Sequence, residues 1–318
     1  MSELDPAGNE AVPAPVTTHA PPHALLRPQV LWPFLLTALI WGSTWYVITG
    51  QIGDVPASWS VAWRFALAAP CMFALAAITG KSLRLGRHGH LLALTLGVFQ
   101  FCGNFNFVYR AELHLTSGVV AVMFGMLMVP NAVLGQVLLG ERVTPRFFLG
   151  SLAAIAGIAL LLVHEARLAP LGDNVALGIW LTLGGILAAS IANVIQAGRV
   201  GRSLPMMSLL AWAMLYGALI DFAFAWISSG PPVFPDRWSY WGGIAYLAIV
   251  GSVVTFPLYY QIVRDIGAGR AAYNGVAVIV IAMLISTFIE GYQWSALAVT
   301  GAVLAMGGMI VALRARHH

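Results

Sequence analysis

Ten apolar stretches follow one another along the chain: 30–49, 57–79, 90–109, 115–138, 146–164, 175–198, 206–228, 239–262, 269–289 and 295–313. A helix needs about 20 mostly apolar residues to cross the hydrocarbon core of a bilayer, and each stretch meets that length. The connections are short and marked by Pro or Gly, as in Asp54-Val55-Pro56, Thr79-Gly80-Lys81 and Gly230-Pro231-Pro232. Consecutive helices must therefore be antiparallel neighbours, and no segment is left for a soluble catalytic domain. Only 9% of the residues are charged and 59% are hydrophobic, with a mean hydropathy of +0.83, whereas a soluble domain carries about 25% charged residues. The expectation is an all-α integral membrane protein of ten transmembrane helices.

Residues 1–28 differ in kind, with six prolines and few large apolar side chains, the composition of a disordered tail. They lack the basic and apolar regions of a signal peptide, so the first apolar run is expected to stay as a transmembrane helix. With ten spans both termini fall on one side. Taking that side as cytoplasmic, the inner segments hold twelve Lys and Arg residues, among them Arg27, Lys81, Arg84, Arg87, Arg142, Arg146, Arg199 and Arg202. The outer segments hold three, Arg110, Arg167 and Arg237. This is a strong positive-inside bias and places a multi-pass protein in the cell's inner (plasma) membrane with cytoplasmic termini. The net charge of +4 is spread over loops of two or three charges, which supply no contiguous patch for nucleic acid. Cys71 and Cys102 both sit inside apolar runs, so no disulfide framework is expected.

Laid against itself at an offset of 151 residues, the chain repeats. Tyr109 falls on Tyr260, Gly118 on Gly269, Gly140 on Gly291, and Gly150, Ala154 and Gly157 on Gly301, Ala305 and Gly308. Thr144 and Ser295, each a suitable N-cap, begin the last helix of each half. Each half has an odd number of spans, so the second enters the membrane from the opposite side: an inverted repeat, 30–164 and 175–313. Inverted repeats give related conformations open to alternate faces, with substrate near the midplane between the halves. The small-residue ladders allow close helix approach, within the chain or in a homodimer.

Trp41-Gly42-Ser43-Thr44-Trp45 is similar to the WGS or WGST segment of EamA-type transporters in the drug/metabolite transporter (DMT) superfamily. Ala62-Trp63-Arg64-Phe65 resembles that family's LRF motif, and Leu139-Gly140-Glu141-Arg142 with the Gly150-containing helix resembles its LGE segment. The second half departs: Phe288-Ile289-Glu290-Gly291 displaces the acid by two positions, and Ile281 stands where the first half has Pro130. The resemblance implies export of small metabolites, amino acids among them, with cytoplasmic termini and no cofactor. It does not fix the cargo; other metabolites or drugs remain open.

The stretch FQFCGNFNFVYR, residues 99–110, sets amides among rings. In α-helical geometry Gln100 and Asn104 share a face with Gly97, and Gln100 lies ~16 Å into the bilayer. Asn106 shares a stripe with Cys102 and Arg110, as a fastener to a neighbouring helix would. Trp41, Ser43, Thr44 and Trp45 reach similar depth, and Ser190, Asn193, Ser252 and Thr255 add polar groups from later spans. Midplane amides and hydroxyls beside aromatic rings suit a neutral or amphipathic small molecule such as a hydrophobic or aromatic amino acid. The competing role is interhelical hydrogen bonding, at about 1 kcal/mol each. Arg64 and Asp221 are intramembrane charges at equal depth, roughly 10 Å, and therefore candidates for coupling or for pairing with each other. Pro257 can kink its span or free a carbonyl.

A membrane enzyme would need a nucleophile with its base or clustered metal ligands. His88 and His90 have a metal-compatible spacing but no third ligand nearby, so no metal site is expected. No GxxxxGK[ST] sequence is present, which disfavours direct ATP drive. A channel is the remaining alternative, and it would need a filter-like sequence or a ring of charge.

Overall fold

A computed structural model of the chain describes residues 27–140, 143–168, 174–266 and 271–315. The tail through residue 26, Glu141 and Arg142 of the LGE-like segment, Gly269, Arg270 and the C-terminal histidines lie outside them, as do the side chains of Tyr260 and Arg264. Among the described residues the structure is helical without strands, and nine helices are long and apolar enough to cross a membrane. They are α1 (Pro28–Thr49), α2 (Ala57–Ile78), α3 (Arg87–Ala111), α4 (Ser117–Leu139), α5 (Pro145–Leu168), α6 (Val175–Gln196), α7 (Met206–Ser229), α8 (Trp238–Tyr259) and, last in the chain, α10 (Ala296–Arg314). Between the last two lies a shorter apolar helix, α9 (Tyr273–Phe288, 16 residues). The chain is a multi-pass membrane protein.

Helices satisfy their own backbone groups, the condition for standing in hydrocarbon. Large apolar side chains such as Leu39, Leu149, Leu152, Ile227 and Val303 point outward, where acyl chains rather than water must meet them. Exposed Trp32, Trp226 and Trp238 lie near helix ends, the position that suits indoles at the membrane interface.

The end of the bundle at which α1 begins is here the near end, and that at which it finishes the far end. Helices α5 and α10 cross antiparallel in the closest approach of the structure. A Cβ on Gly150 would meet Gly308 O at 2.7 Å, and one on Gly157 would meet Gly301 O at 2.5 Å. The glycine ladders are thus consumed in a contact within the chain. Helices α2 and α7 are likewise antiparallel: the hydroxyls of Ser58 and Ser229 lie 2.9 Å apart at one end, and Thr79 reaches Met207 at the other. Helix α1 packs on α8 and α9, α6 on α3 and α4, and α7 on α3 as α2 does on α8. Both expected N-caps form, Thr144 Oγ1 accepting from Phe147 N at 3.3 Å and Ser295 Oγ from Ala298 N at 3.1 Å. Gly140 caps the end of α4 and Gly291 lies in the turn just after α9, with φ of 72° and 71°, a left-handed conformation that favours glycine.

Gly125–Leu127 in α4 tightens to a 3-10 turn, and two segments widen instead. Gly97–Asn104 in α3 and Tyr246–Val254 in α8 are π-helical, with the wider i→i+5 turn that recurs at functional sites. In α8 the segment lies just before Pro257, whose ring crowds the carbonyl one turn back.

Candidate functional site

Between the helices lies a cavity of about 380 Å³, a volume suited to a small metabolite. Trp41, Thr44 and Trp45 of α1 line it with Gln100, Phe101, Asn104 and Phe105 of α3, Phe124 and Asn131 of α4, Asn193 of α6, and Gly251, Phe256 and Tyr259 of α8. The lining runs to Gln196, Ala272 and Leu313 at the near end.

The rings are set by their own contacts. Trp41 donates its indole N–H to Gly251 O at 3.2 Å and packs on Phe256 and Tyr259. Trp45 packs on Phe124, with centroids 5.1 Å apart. The Oδ1 atoms of Asn104 and Asn131 are buried without a hydrogen-bond partner. Such acceptors are costly unless something bonds them.

Six of the ten residues singled out for substrate line this cavity: Trp41, Thr44, Trp45, Gln100, Asn104 and Asn193. The other four do not. Ser43 ties α1 to α8 through the Tyr246 hydroxyl at 2.7 Å. Ser190 is fully buried away from the lining. Ser252 and Thr255 donate to Leu247 O and Val250 O, five residues back, so the π-helical turn takes up their hydroxyls. The same geometry corrects the expected face of α3. Gly97 packs on α7, where a Cβ would lie 2.9 Å from Gly217 N, while Gln100 and Asn104 turn to the cavity. Asn131 was missed, although an amide beside Pro130 within a span is the same kind of signal as Gln100.

Arg64 lines the cavity but is only 2% exposed. It donates to the Tyr109 hydroxyl at 3.3 Å and to Ser252 Oγ at 3.1 Å, and its Cζ lies 4.3 Å from the Phe105 centroid. Asp221 is fully buried outside the lining and accepts from Asn106 Nδ2 at 2.8 Å. The two charges therefore do not pair, and the one ion pair among the described residues is Arg237–Asp54, at 3.2 Å. Asn106 joins α3 to α7, and the Arg110 guanidinium over the Phe224 ring at 4.9 Å reinforces the same seam. Among the described residues no three His, Cys, Asp or Glu side chains group as a metal site requires.

Beyond the cavity, the far end is polar yet buried. Glu165 accepts from Thr116 N at 3.0 Å and Glu290 from the Ser117 hydroxyl at 2.6 Å. His164 Nε2 donates to Gln293 O at 2.6 Å, which leaves Nδ1 to accept from Ser295. Glu112, 8% exposed, has no partner for either carboxylate oxygen. Burial pushes its carboxyl well above the usual range, neighbouring Glu290 adds to the rise, and Arg64 opposes it.

The family model described as "EamA-like transporter family" matches residues 30–163 and 176–314. Protein PagO of Salmonella typhimurium is 22% identical over 289 residues, covering 89% of this chain and 92% of its own length. The "uncharacterized transporter YyaM" of Bacillus subtilis is 27% identical, covering 85% and 89%. An "uncharacterized transporter" of Archaeoglobus fulgidus is 23% identical, covering 88% and 97%. A solved crystal structure matches with a TM-score of 0.66 at 20% identity, over 89% of this chain and 96% of its own.

Proposed function

The chain belongs to the EamA-like transporter family, and from that premise we propose that it is a secondary carrier of the inner membrane. It exports small neutral or amphipathic metabolites, hydrophobic or aromatic amino acids foremost, by alternating access. The observation that carries this reading is the cavity itself, a space of about 380 Å³ lined by amides and aromatic rings from α1, α3, α4, α6 and α8.

In this reading residues 30–164 and 175–313 are two inverted five-helix repeats, with α9 as the ninth of ten spans. Several paired features support it. The family matches twice, Gly140 and Gly291 adopt the same left-handed turn, and the third helix of each half carries a π-helical segment. The near end is cytoplasmic, since twelve basic residues against three fall on that side. The cavity lining reaches that end while Glu112, Ser117 and Glu165 are buried at the other, which supports an inward-open reading of this arrangement.

Gln100 and Asn104 are cargo ligands in this scheme. Uptake of a metabolite panel into inside-out vesicles is expected to fall about tenfold for the best cargo in Gln100→Leu and Asn104→Leu, the loss of one or two buried hydrogen bonds. Preloading the vesicles should accelerate uptake, as it does for a carrier and not for a channel. Unchanged transport in both variants would reassign this face to helix packing.

Asp221 has the geometry of a fastener, since its Oδ1 accepts from Asn106 across α3 and α7 and it lies off the cavity. Asp221→Asn is accordingly expected to retain transport and its response to an imposed proton gradient. Loss of that response alone would return the residue to a coupling role.

A further inference from the structure

Arg64 is the one charged side chain among the described residues lining the cavity, and no carboxylate lies within ion-pair distance of it. A guanidinium has five N–H donors. One goes to Tyr109 and one to Ser252, while Nε is buried with no partner. Two neutral hydroxyls and a ring face leave most of the fork without a hydrogen-bond acceptor and without a contacting anion. Buried cations ordinarily find an anion; among the described residues Glu112 acts on Arg64 only from beyond ion-pair distance.

Beside the fork, Gly251 lets α8 close in on Thr44 of α1. A Cβ on Gly251 would sit 3.8 Å from Arg64 Nη2 and 2.9 Å from Thr44 Cγ2. The cavity that Arg64 lines also holds the rings of Trp41, Trp45, Phe101 and Phe124. Neutral acceptors are available from Asn104 and Asn131, and no acid among the described lining residues could hold an ammonium.

We propose that Arg64 anchors a carboxylate of the cargo, so that the carried class is monocarboxylates with an apolar body, amino acids included. This rests on the cavity being the cargo site. A planar carboxylate matches the free donors of a guanidinium fork, and one cation balances one negative charge. An amino group on the cargo meets only amide oxygens, so it is tolerated and not required. Amino acids then bind through the carboxylate, and their deaminated analogues bind as well.

The test is equilibrium dialysis of the full-length protein in detergent against 3-phenylpropionate, phenylalanine, 3-phenylpropanamide and phenethylamine. The two carboxylates should bind, the amide about tenfold or more weakly, and the amine more weakly still. Arg64→Lys should preserve that order. Arg64→Gln should bring 3-phenylpropionate down to the affinity of the amide while leaving the amide unchanged, an outcome that a merely structural arginine would not produce. Equal binding of amide, amine and carboxylate by the native protein would overturn the inference, and so would an equal loss of amide and carboxylate in Arg64→Gln. Should that variant fail to fold, the ladder of probes on the native protein decides by itself. Binding without carboxylate preference leaves the cargo site standing and removes only the anchor; no binding of any probe removes both.

Discussion

Gly157→Leu is expected to abolish or severely reduce recovery of folded protein, while Gly307→Leu on the facing helix is expected to change little. A side chain at 157 would press into backbone, with Gly301 O at 2.5 Å and Ala305 N closer still. Backbone atoms of two packed helices cannot rotate aside as a side chain tip can, so α5 and α10 would have to separate. Overpacking ordinarily costs ~1–3 kcal/mol, and a leucine against two main chains belongs at or beyond the upper end. That corresponds to a fall in melting temperature of roughly 5–10 °C. At Gly307 a Cβ would meet nothing within 4 Å and the residue is exposed. Replacing glycine there slightly favours the helix, by under about 1 kcal/mol. Thermal unfolding followed by tryptophan fluorescence, with size-exclusion profiles in detergent, compares the two. Equal losses at both positions would refute the close-contact account and would instead place a second copy of the chain against that face of α10.

How much of this was legible beforehand depended on which physical signal each residue carried. The apolar spans and the caps at Thr144 and Ser295 were readable because hydropathy and capping are local properties. Nine of the ten expected spans have membrane-crossing length, and α9, with 16 residues, is the short one. The shared face of Gln100 and Asn104 was readable from spacing, but the role of Gly97 was not, because the spacing presumed an α-helix where the backbone is π-helical. Ser252 and Thr255 looked like Thr44 in sequence; only the wide turn of α8, which takes their hydroxyls, separates them. The burial of Glu112 and Glu290 gave no signal, since acids at helix ends are ordinarily solvated. Their burial is a property of the packed far end, which no single segment encodes.

In the alternating-access scheme proposed above, that buried far end makes a pH dependence. Glu112 is faced by Glu290 from the α9–α10 connection and, more distantly, by Arg64 from α2, with Glu165, His164 and Tyr292 in the same cluster. Burial and Glu290 raise the carboxyl's hold on its proton in the closed form, whereas opening would return it to water and to a pKa of about 4.3. The closed form therefore binds the proton more tightly. Its advantage is fully present below pH of about 4.3, shrinks as the pH rises, and is gone above the raised value in the closed state. Within that window one linked proton shifts the closed–open balance by up to about tenfold per pH unit. A thiol at Ala121, which lines the cavity, reports this directly once Cys71 and Cys102 are replaced by serine. Labelling of Ala121→Cys by an impermeant maleimide from the far side is expected to rise steeply with pH in the otherwise native chain. In Glu112→Gln, which keeps the shape but cannot ionise, labelling should stay low and nearly flat. Labelling that fell with pH would reverse the sign of this linkage, and an unchanged pH profile in Glu112→Gln would move the proton to another member of the cluster.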